Sequence, residues 1–231
     1  MTLRTLPFAA LAVLLAASAA RADIILDDFS DPRTPFTITN PNPNPFTTGP
    51  TDIGGGTVRN ATFTVTSPTP GTDSLVGGVG GGTVDIFFNS SSSGNGVIGY
   101  TFGTPLDFSA VGGSAGAVRL TTQSQPTSGN PEVAFLLSVQ TATGTLSKTG
   151  SFANSSGFVD QEVALSSLTG TGDLSRVTGL SLTVNDQIAD DFRLDKIALT
   201  QPQQVPAPPA AFLALAALPV LGLRRYLRRA V

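Results

Sequence analysis

Between residues 23 and 200, apolar side chains come in short runs that alternate with polar ones, and this pattern constrains the fold most. The alternation is clearest at 61–66 (Ala-Thr-Phe-Thr-Val-Thr) and 180–184 (Leu-Ser-Leu-Thr-Val). Successive side chains of a strand point to opposite faces, so each segment buries one face and exposes the other. No segment has the spacing of an amphipathic helix. The pattern predicts an all-β fold, a β-sandwich.

The predicted strands are separated by loops rich in glycine, serine, asparagine and proline. They lie at 24–26, 58–65, 83–88, 96–102, 117–123, 133–141, 147–152, 158–165, 179–184 and 192–200. The Asn-Pro repeat at 40–45 lacks alternate backbone donors and is predicted to be a solvated loop. The glycine-rich stretch 77–82 is predicted to be a flexible hairpin connection, because no lysine or helix follows it to make a phosphate loop.

Residues 1–22 have the three parts of a secretory signal peptide. Arg4 supplies the positive charge, residues 6–17 form an apolar core, and Ala20-Arg21-Ala22 matches a small-residue cleavage site. An uncleaved membrane helix is the alternative, but the run is short and ends in small residues. We therefore expect cleavage after Ala22 and export of the chain.

The other end combines a proline-rich segment (201–209), an apolar run (210–223) and a basic tail (224–231). Residues 207–223 carry no charge, and as a helix they would span about 25 Å, near the thickness of a bilayer core. Four arginines follow the run: Arg224, Arg225, Arg228 and Arg229. The positive-inside rule places them in the cytoplasm, so a C-terminal transmembrane helix is predicted with residues 23–200 outside.

The tail resembles a PEP-CTERM sorting signal, the bacterial tripartite tail read by exosortase-type membrane proteases. The proposed motif is Val205, Pro206, Ala207 and Pro208, in which alanine stands where the family has glutamate. The resemblance implies an exosortase-like partner, inner-membrane anchoring followed by release to the cell surface or matrix of a Gram-negative bacterium, and association with exopolysaccharide or biofilm. The alternative is a C-terminal anchor that is never cut.

Composition excludes several kinds of site. The chain has no cysteine and no histidine, which rules out disulfides, zinc sites with these ligands, and Ser-His-Asp or Cys-His catalysis. The body between the two ends carries 16 acidic and 7 basic residues, a net charge of −9. An acidic body without basic clusters argues against a nucleic-acid partner.

An acidic-aromatic motif occurs near both ends of the body. Residues 27–29 read Asp-Asp-Phe, residues 190–192 repeat this, and Asp195 follows. The pair resembles jelly-roll, carbohydrate-binding-module-like domains, in which the first and last strands lie side by side and often hold a structural calcium ion. Because hard cations relieve repulsion between carboxylates, we hypothesise that Asp28 shares Ca²⁺ with Asp191 or Asp195. The alternative is that these aspartates cap turns and pair with Arg193 and Lys196.

A second internal similarity links residues 107–113 (Asp-Phe-Ser-Ala-Val-Gly-Gly) and residues 173–179 (Asp-Leu-Ser-Arg-Val-Thr-Gly). In both, aspartate and serine favour a local turn, and apolar side chains can enter the core. We expect two equivalent corners at which the chain passes from one sheet to the other.

The sequence favours a binding or structural role over catalysis. The body has only two glutamates, Glu132 and Glu162, and no pattern that pairs them for glycoside hydrolysis. It has no tryptophan, and Tyr100, its one tyrosine, is predicted to pack in the core or at its rim rather than form a sugar platform. We therefore predict an exported, non-catalytic surface or matrix protein. The alternative is a carbohydrate-binding module with calcium-assisted glycan binding.

Overall fold

The computed structural model describes residues 23–39, 45–66, 74–88, 93–125, 132–186 and 191–201. These residues belong to one compact unit. No helix within these ranges is long and apolar enough to cross a membrane. The predicted signal peptide and its cleavage site, the sorting motif, the transmembrane segment at 210–223 and the basic tail lie outside the described residues, so they remain predictions.

The described chain forms strands joined by turns and two short 3₁₀ helices, Gly113–Ala115 and Leu165–Ser167. The strands are β1 (Ile24–Asp27), β2 (Thr34–Thr39), β3 (Phe46–Thr47), β4 (Thr51–Asp52), β5 (Thr57–Val65), β6 (Ser74–Gly80), β7 (Thr83–Phe88), β8 (Gly94–Leu106), β9 (Ala117–Gln125), β10 (Ala134–Thr141), β11 (Gly144–Ser151), β12 (Val159–Ala164), β13 (Thr169–Gly170), β14 (Val177–Asp186) and β15 (Asp191–Thr200).

The strands form two antiparallel sheets, as the alternation predicted. Sheet A has the order β12-β9-β15-β7-β6-β2, with β1 also paired to β15. Sheet B has the order β13-β11-β10-β14-β8-β5-β3, with β4 also paired to β5. Each predicted strand overlaps one of these strands. Strands β2, β3, β4, β6 and β13 were not predicted.

The inward faces of both sheets supply one apolar core. On β14, Leu180, Leu182 and Val184 are buried while Ser181 and Thr183 are partly exposed. This confirms the alternation predicted for that segment. Each large apolar side chain removed from water contributes about 1.5–3 kcal/mol of burial free energy.

Phenylalanines join the two sheets through the core. The ring of Phe36 in sheet A stacks on that of Phe63 in sheet B, with centroids 4.2 Å apart. Phe152 lies between Phe135 and Phe192, with centroid distances of 4.7 and 4.8 Å. Such offset and tilted ring pairs add about 0.5–1.5 kcal/mol beyond the area that they bury.

The first and last strands lie side by side, as the jelly-roll resemblance implied. Strand β1 pairs antiparallel with the end of β15, Ile24 opposite Leu199 and Asp27 opposite Ile197. On the same side of β15, Asp191 to Leu194 pair with β7. A bulge between Leu194 and Lys196, seen in the pairing with β9, falls where β7 stops and β1 begins.

The glycine-rich stretch contains a hairpin turn, as predicted, but most of it is strand rather than flexible connection. Strand β6 continues to Gly80, and only Gly81 and Gly82 form the turn to β7, with φ of 67° and 95°. Gly77 is needed inside the strand because a Cβ there would lie 2.0 Å from the carbonyl oxygen of Asp85. These glycines permit close backbone approach rather than flexibility.

The two similar segments, 107–113 and 173–179, are not equivalent corners between the sheets. Residues 107–116 cross from β8 in sheet B to β9 in sheet A, as predicted, but residues 171–176 connect β13 and β14 within sheet B. The second prediction was therefore wrong. Instead the two segments touch, since the amide of Phe108 donates to the carbonyl of Leu174 at 2.9 Å. In each, the aspartate accepts a hydrogen bond from the serine two positions on.

Candidate functional site

Outward side chains of sheet B form a mostly polar, uncharged surface, here called the hydroxyl face. Strand register aligns them in three rows across β5, β8, β14, β10 and β11. The central row is Asn60, Gly99, Ser181, Ser138 and Ser147. The row on one side of it is Thr62, Val97, Thr183, Leu136 and Thr149. The row on the other side is Val58, Thr101, Gly179, Gln140 and Thr145.

From the residue sizes, we infer that the central row is the floor of a shallow groove. Its serines and glycine are shorter than most of the threonine, valine, leucine and glutamine side chains on either side. Neighbouring strands are about 4.8 Å apart, so five strands give the groove a length of about 19 Å, at right angles to the strands. The groove therefore has the shape to receive an extended chain-like ligand.

Hydroxyl groups on the groove floor are unused within the fold. The side chains of Ser138, Ser147 and Ser181 are partly exposed. In the described ranges none of their hydroxyls has a hydrogen-bond partner in the protein. Each offers one donor and two acceptor positions. None of the fifteen positions of the hydroxyl face is charged or aromatic, so hydrogen bonding is the chemistry this surface offers.

The outer face of sheet A is built from ion pairs instead. Asp85 on β7 accepts from Arg33 Nη2 at 2.6 Å and from Arg193 Nε at 2.9 Å, one arginine on each carboxylate oxygen. Burial by itself raises the pKa of Asp85, but hydrogen bonds from Arg193, Arg33 and Thr83 outweigh it and hold the pKa below its ordinary value of 3.8. The carboxylate therefore stays ionised beneath its two arginines.

Gly78 makes room for one of these arginines. A Cβ at Gly78 would lie 2.6 Å from Arg33 Nε, so only glycine lets the guanidinium lie flat on β6 and reach Asp85. On the other side, the Arg193 guanidinium lies over the ring of Phe158, 5.9 Å from its centroid. We call Arg33 and Arg193 the arginine pair.

A second ion cluster lies further along this face. Arg119 on β9 donates to Asp23 at 2.7 Å and to Glu162 at 2.9 Å, and Asp160 is 3.7 Å away. The hydrogen bond to Glu162 is the main cause that raises the pKa of Arg119. One cation shared by three carboxylates has little capacity left for another anion.

A buried network anchors the first acidic-aromatic motif. Arg59 is a charged residue at an inward position of β5, and it donates to Asp27 at 2.9 Å and to Asp31 at 2.7 Å. The Tyr100 hydroxyl also donates to Asp27, at 3.0 Å. The guanidinium lies 5.1 Å from the centroid of the Phe29 ring, whose residue has φ of 52°. Tyr100 is thus a buried structural residue, as predicted, and not a binding platform.

Sequence reasoning missed Arg59 and the arginine pair. A signal for Arg59 was available, because Arg59, Ala61, Phe63 and Val65 share one parity, which places a charge on the core face of β5. A charge in that position requires a buried partner. No comparable signal exists for Asp85, Arg33 and Arg193, which are brought together by the order β15-β7-β6-β2 in sheet A.

The predicted calcium ligands are placed apart or in other roles. Asp28 is exposed and caps a turn by accepting from the amide of Ser30 at 3.1 Å; the hydrogen bonds from Ser30 lower its pKa. The β1–β15 register puts Asp28 near the bulge that contains Asp195, whereas Asp191 begins the strand about 13 Å further along. The described residues contain no group of three or more acidic side chains arranged for a metal ion. Calcium binding stays a prediction, tested by comparing melting in EDTA and in calcium.

Comparison with known proteins gives distant likenesses. No family model and no curated protein matches the chain. A family 11 carbohydrate-binding module from Clostridium thermocellum, in complex with a β-1,3-1,4-mixed-linked tetrasaccharide, matches with TM-score 0.40 and 12% identity, covering 79% of this chain and 98% of the module.

Two further solved structures match this chain with similar TM-scores and identities. The solution structure of CtCBM11 matches with TM-score 0.44 and 14% identity over 81% of this chain and 99% of that one. An agarase, AgWH50C, matches with TM-score 0.44 and 11% identity, covering 77% of this chain but 26% of the agarase.

Proposed function

We propose that the sandwich is a non-catalytic carbohydrate-binding module of an exported surface protein, with an uncharged polysaccharide lying across the hydroxyl face. The observation that carries the proposal is the row of partly exposed serine hydroxyls without a protein partner in the described part of sheet B. The jelly-roll form of the sandwich is part of the same proposal.

The chemistry of the groove matches that of a neutral sugar chain. Hydroxyls and amides both donate and accept, as sugar hydroxyls do, and each hydrogen bond contributes a net of about 0.5–1.5 kcal/mol. No fixed charge is present to recognise an ionic group. Without an aromatic platform, affinity must come from several weak contacts repeated along an extended polymer rather than from one sugar unit.

The positions of the glutamates support a non-catalytic role. Glu162 is held by Arg119 on the outer face of sheet A, and Glu132 accepts from Ser151 at the edge of sheet B. Glycoside hydrolysis needs two carboxylates on opposite sides of one bond. The two glutamates lie on different sheets and are each engaged by a neighbour.

The ends of the chain support the location. The signal-peptide features of residues 1–22 and the PEP-CTERM-like tail favour export, inner-membrane anchoring and processing by an exosortase-like protease. We propose that the domain then contacts exopolysaccharide at the surface or in a biofilm matrix.

The proposal is tested by blocking the groove with a long side chain. Full-length protein in neutral detergent is run through native gels that contain neutral polysaccharides of different linkage. We expect Ser181→Arg to reduce retardation at least tenfold, because the long charged side chain covers the floor. Thr37→Arg, an exposed position on sheet A, is the matched control. Equal retardation of wild type and a folded Ser181→Arg protein, or none for any neutral polysaccharide, would overturn the proposal.

A further inference from the structure

The arginine pair has hydrogen-bonding capacity that the fold leaves unused. One nitrogen of each guanidinium donates to Asp85. Among the described residues, the other nitrogens of Arg33 and Arg193 have no hydrogen-bond partner. The side chains are 41% and 39% exposed, whereas that of Asp85 is 4% exposed. The free donors therefore face solvent while the carboxylate is enclosed.

The two guanidiniums are held in place before any ligand arrives. Both bind the same carboxylate, so they lie side by side with their positions fixed from below. Gly78 supports Arg33 on one side, and the ring of Phe158 supports Arg193 on the other. Fixing donors in advance reduces the entropy lost on binding. Asp85 is one anion bound by two arginines, so it does not by itself neutralise the pair.

Phe158 adds an apolar surface beside these donors. It is 42% exposed although it is aromatic, and the guanidinium of Arg193 lies over its ring. A planar fork of N–H groups suits the two oxygens of a carboxylate. A donor fork next to an exposed aromatic ring matches a ligand with an anionic group on a saturated ring.

We propose that the arginine pair and Phe158 form a second binding site, for the carboxylate of an acidic sugar. The site lies on sheet A and is independent of the neutral-polymer groove on sheet B. Asp191 and Asp195 flank Arg193 along β15, so the affinity is modest and depends on ionic strength. One domain would then bind a neutral polymer on one face and an acidic one on the other.

The experiment titrates full-length protein in neutral detergent micelles with trigalacturonate, neutral trigalactose and inorganic sulfate, by calorimetry. We expect trigalacturonate to bind, trigalactose not to bind at this site, and affinity to fall as salt is raised. Arg193→Gln should raise the Kd at least tenfold. Lys148→Gln removes the same charge from an exposed position on sheet B and should change it less than twofold.

A charge-preserving variant covers the case in which Arg193→Gln fails to fold. Gly78→Ala displaces Arg33 and should also weaken trigalacturonate, while Gly49→Ala, where nothing lies within 4 Å of the added Cβ, should not. The proposal is overturned by no trigalacturonate binding, by equal affinity in folded Arg193→Gln or Gly78→Ala protein, or by sulfate binding as tightly as the sugar. Ser181→Arg should leave this binding intact, which separates its outcome from that of the groove.

Discussion

Arg59 Nη1 lies 2.9 Å from Asp27 Oδ2, and both side chains are almost completely buried. The contact joins β5 of sheet B to the end of β1 in sheet A. It therefore ties the strand that begins the domain to the opposite sheet. Asp31 accepts from Nη2 of the same guanidinium, at 2.7 Å. Burial lowers the pKa of Arg59, but the hydrogen bonds to Asp31 and Asp27 outweigh burial and raise the pKa above its ordinary value.

Removing the cation should be costly. Arg59→Met leaves Asp27 buried without its charge partner, and breaking a buried pair from one side typically costs about 3–5 kcal/mol. Urea unfolding followed by circular dichroism measures the loss. Lys148→Met, at an exposed position, should stay within about 0.5 kcal/mol. A loss below about 1 kcal/mol for Arg59→Met would show that the network does not hold the sheets together.

The variant Tyr100→Phe tests whether the Tyr100 hydroxyl, in the same network, stabilises the fold or contacts a ligand. The variant removes a hydrogen bond to Asp27 and should cost about 1–3 kcal/mol. Burial is the main cause that raises the pKa of Tyr100 well above its ordinary value, so the hydroxyl is a neutral donor at physiological pH. Retardation in polysaccharide gels should not change. Lost retardation with unchanged stability would make Tyr100 a ligand contact instead.

The outcome at particular residues shows what the sequence could predict. The fold class followed from alternation, because Ala61, Phe63 and Val65 on β5 and Leu180, Leu182 and Val184 on β14 are buried on one face of each strand. Strands such as β6 were missed because Gly77 and Gly78 leave no alternation to detect, although packing against Asp85 and Arg33 requires them. The arginine pair was missed for a related reason: its members are 52 and 108 residues from Asp85, and only strand order brings them together.

The ionisation of Asp85 should make the stability of the fold depend on pH. Its folded pKa lies below 3.8 because the bonds from Arg193, Arg33 and Thr83 outweigh burial, and the unfolded carboxyl titrates near 3.8. The ionised form therefore stabilises the fold above pH 3.8, and this contribution is lost as pH falls through the lower folded pKa. Melting temperatures between pH 6 and pH 2 should fall less steeply below pH 4 for Asp85→Asn than for wild type. Parallel curves would contradict the role given to Asp85.

Gly77 and Gly49 form a matched pair for testing close backbone packing. Gly77→Ala puts a Cβ 2.0 Å from the Asp85 carbonyl oxygen and 2.7 Å from Phe36 Cζ, whereas nothing lies within 4 Å of a Cβ at Gly49. Because backbone must shift, Gly77→Ala should cost about 1–3 kcal/mol or more. Gly49→Ala should stay within about 0.5 kcal/mol. Similar urea midpoints for the two variants would mean that β6 and β7 are looser than described.

The tail is tested by following both ends of the mature protein. An epitope tag placed after Val231 should be absent from surface protein in a host that has an exosortase-type protease, while a tag in the body persists. The proline-rich segment should set the cut, since an extended backbone suits a protease cleft. Deleting 205–208 should therefore leave the tagged chain uncut in the inner membrane.

The basic residues make a separate prediction from the same tail. Replacing Arg224, Arg225, Arg228 and Arg229 with serine removes the charges that we predict to hold the C-terminus in the cytoplasm. We expect unprocessed protein to appear in the periplasm or medium, as detected by the body tag after fractionation. The control is a Lys148→Ser chain, which loses a charge outside the tail. A C-terminal tag retained on surface protein would contradict cleavage, and arginine-free protein that stays anchored would contradict the basic anchor.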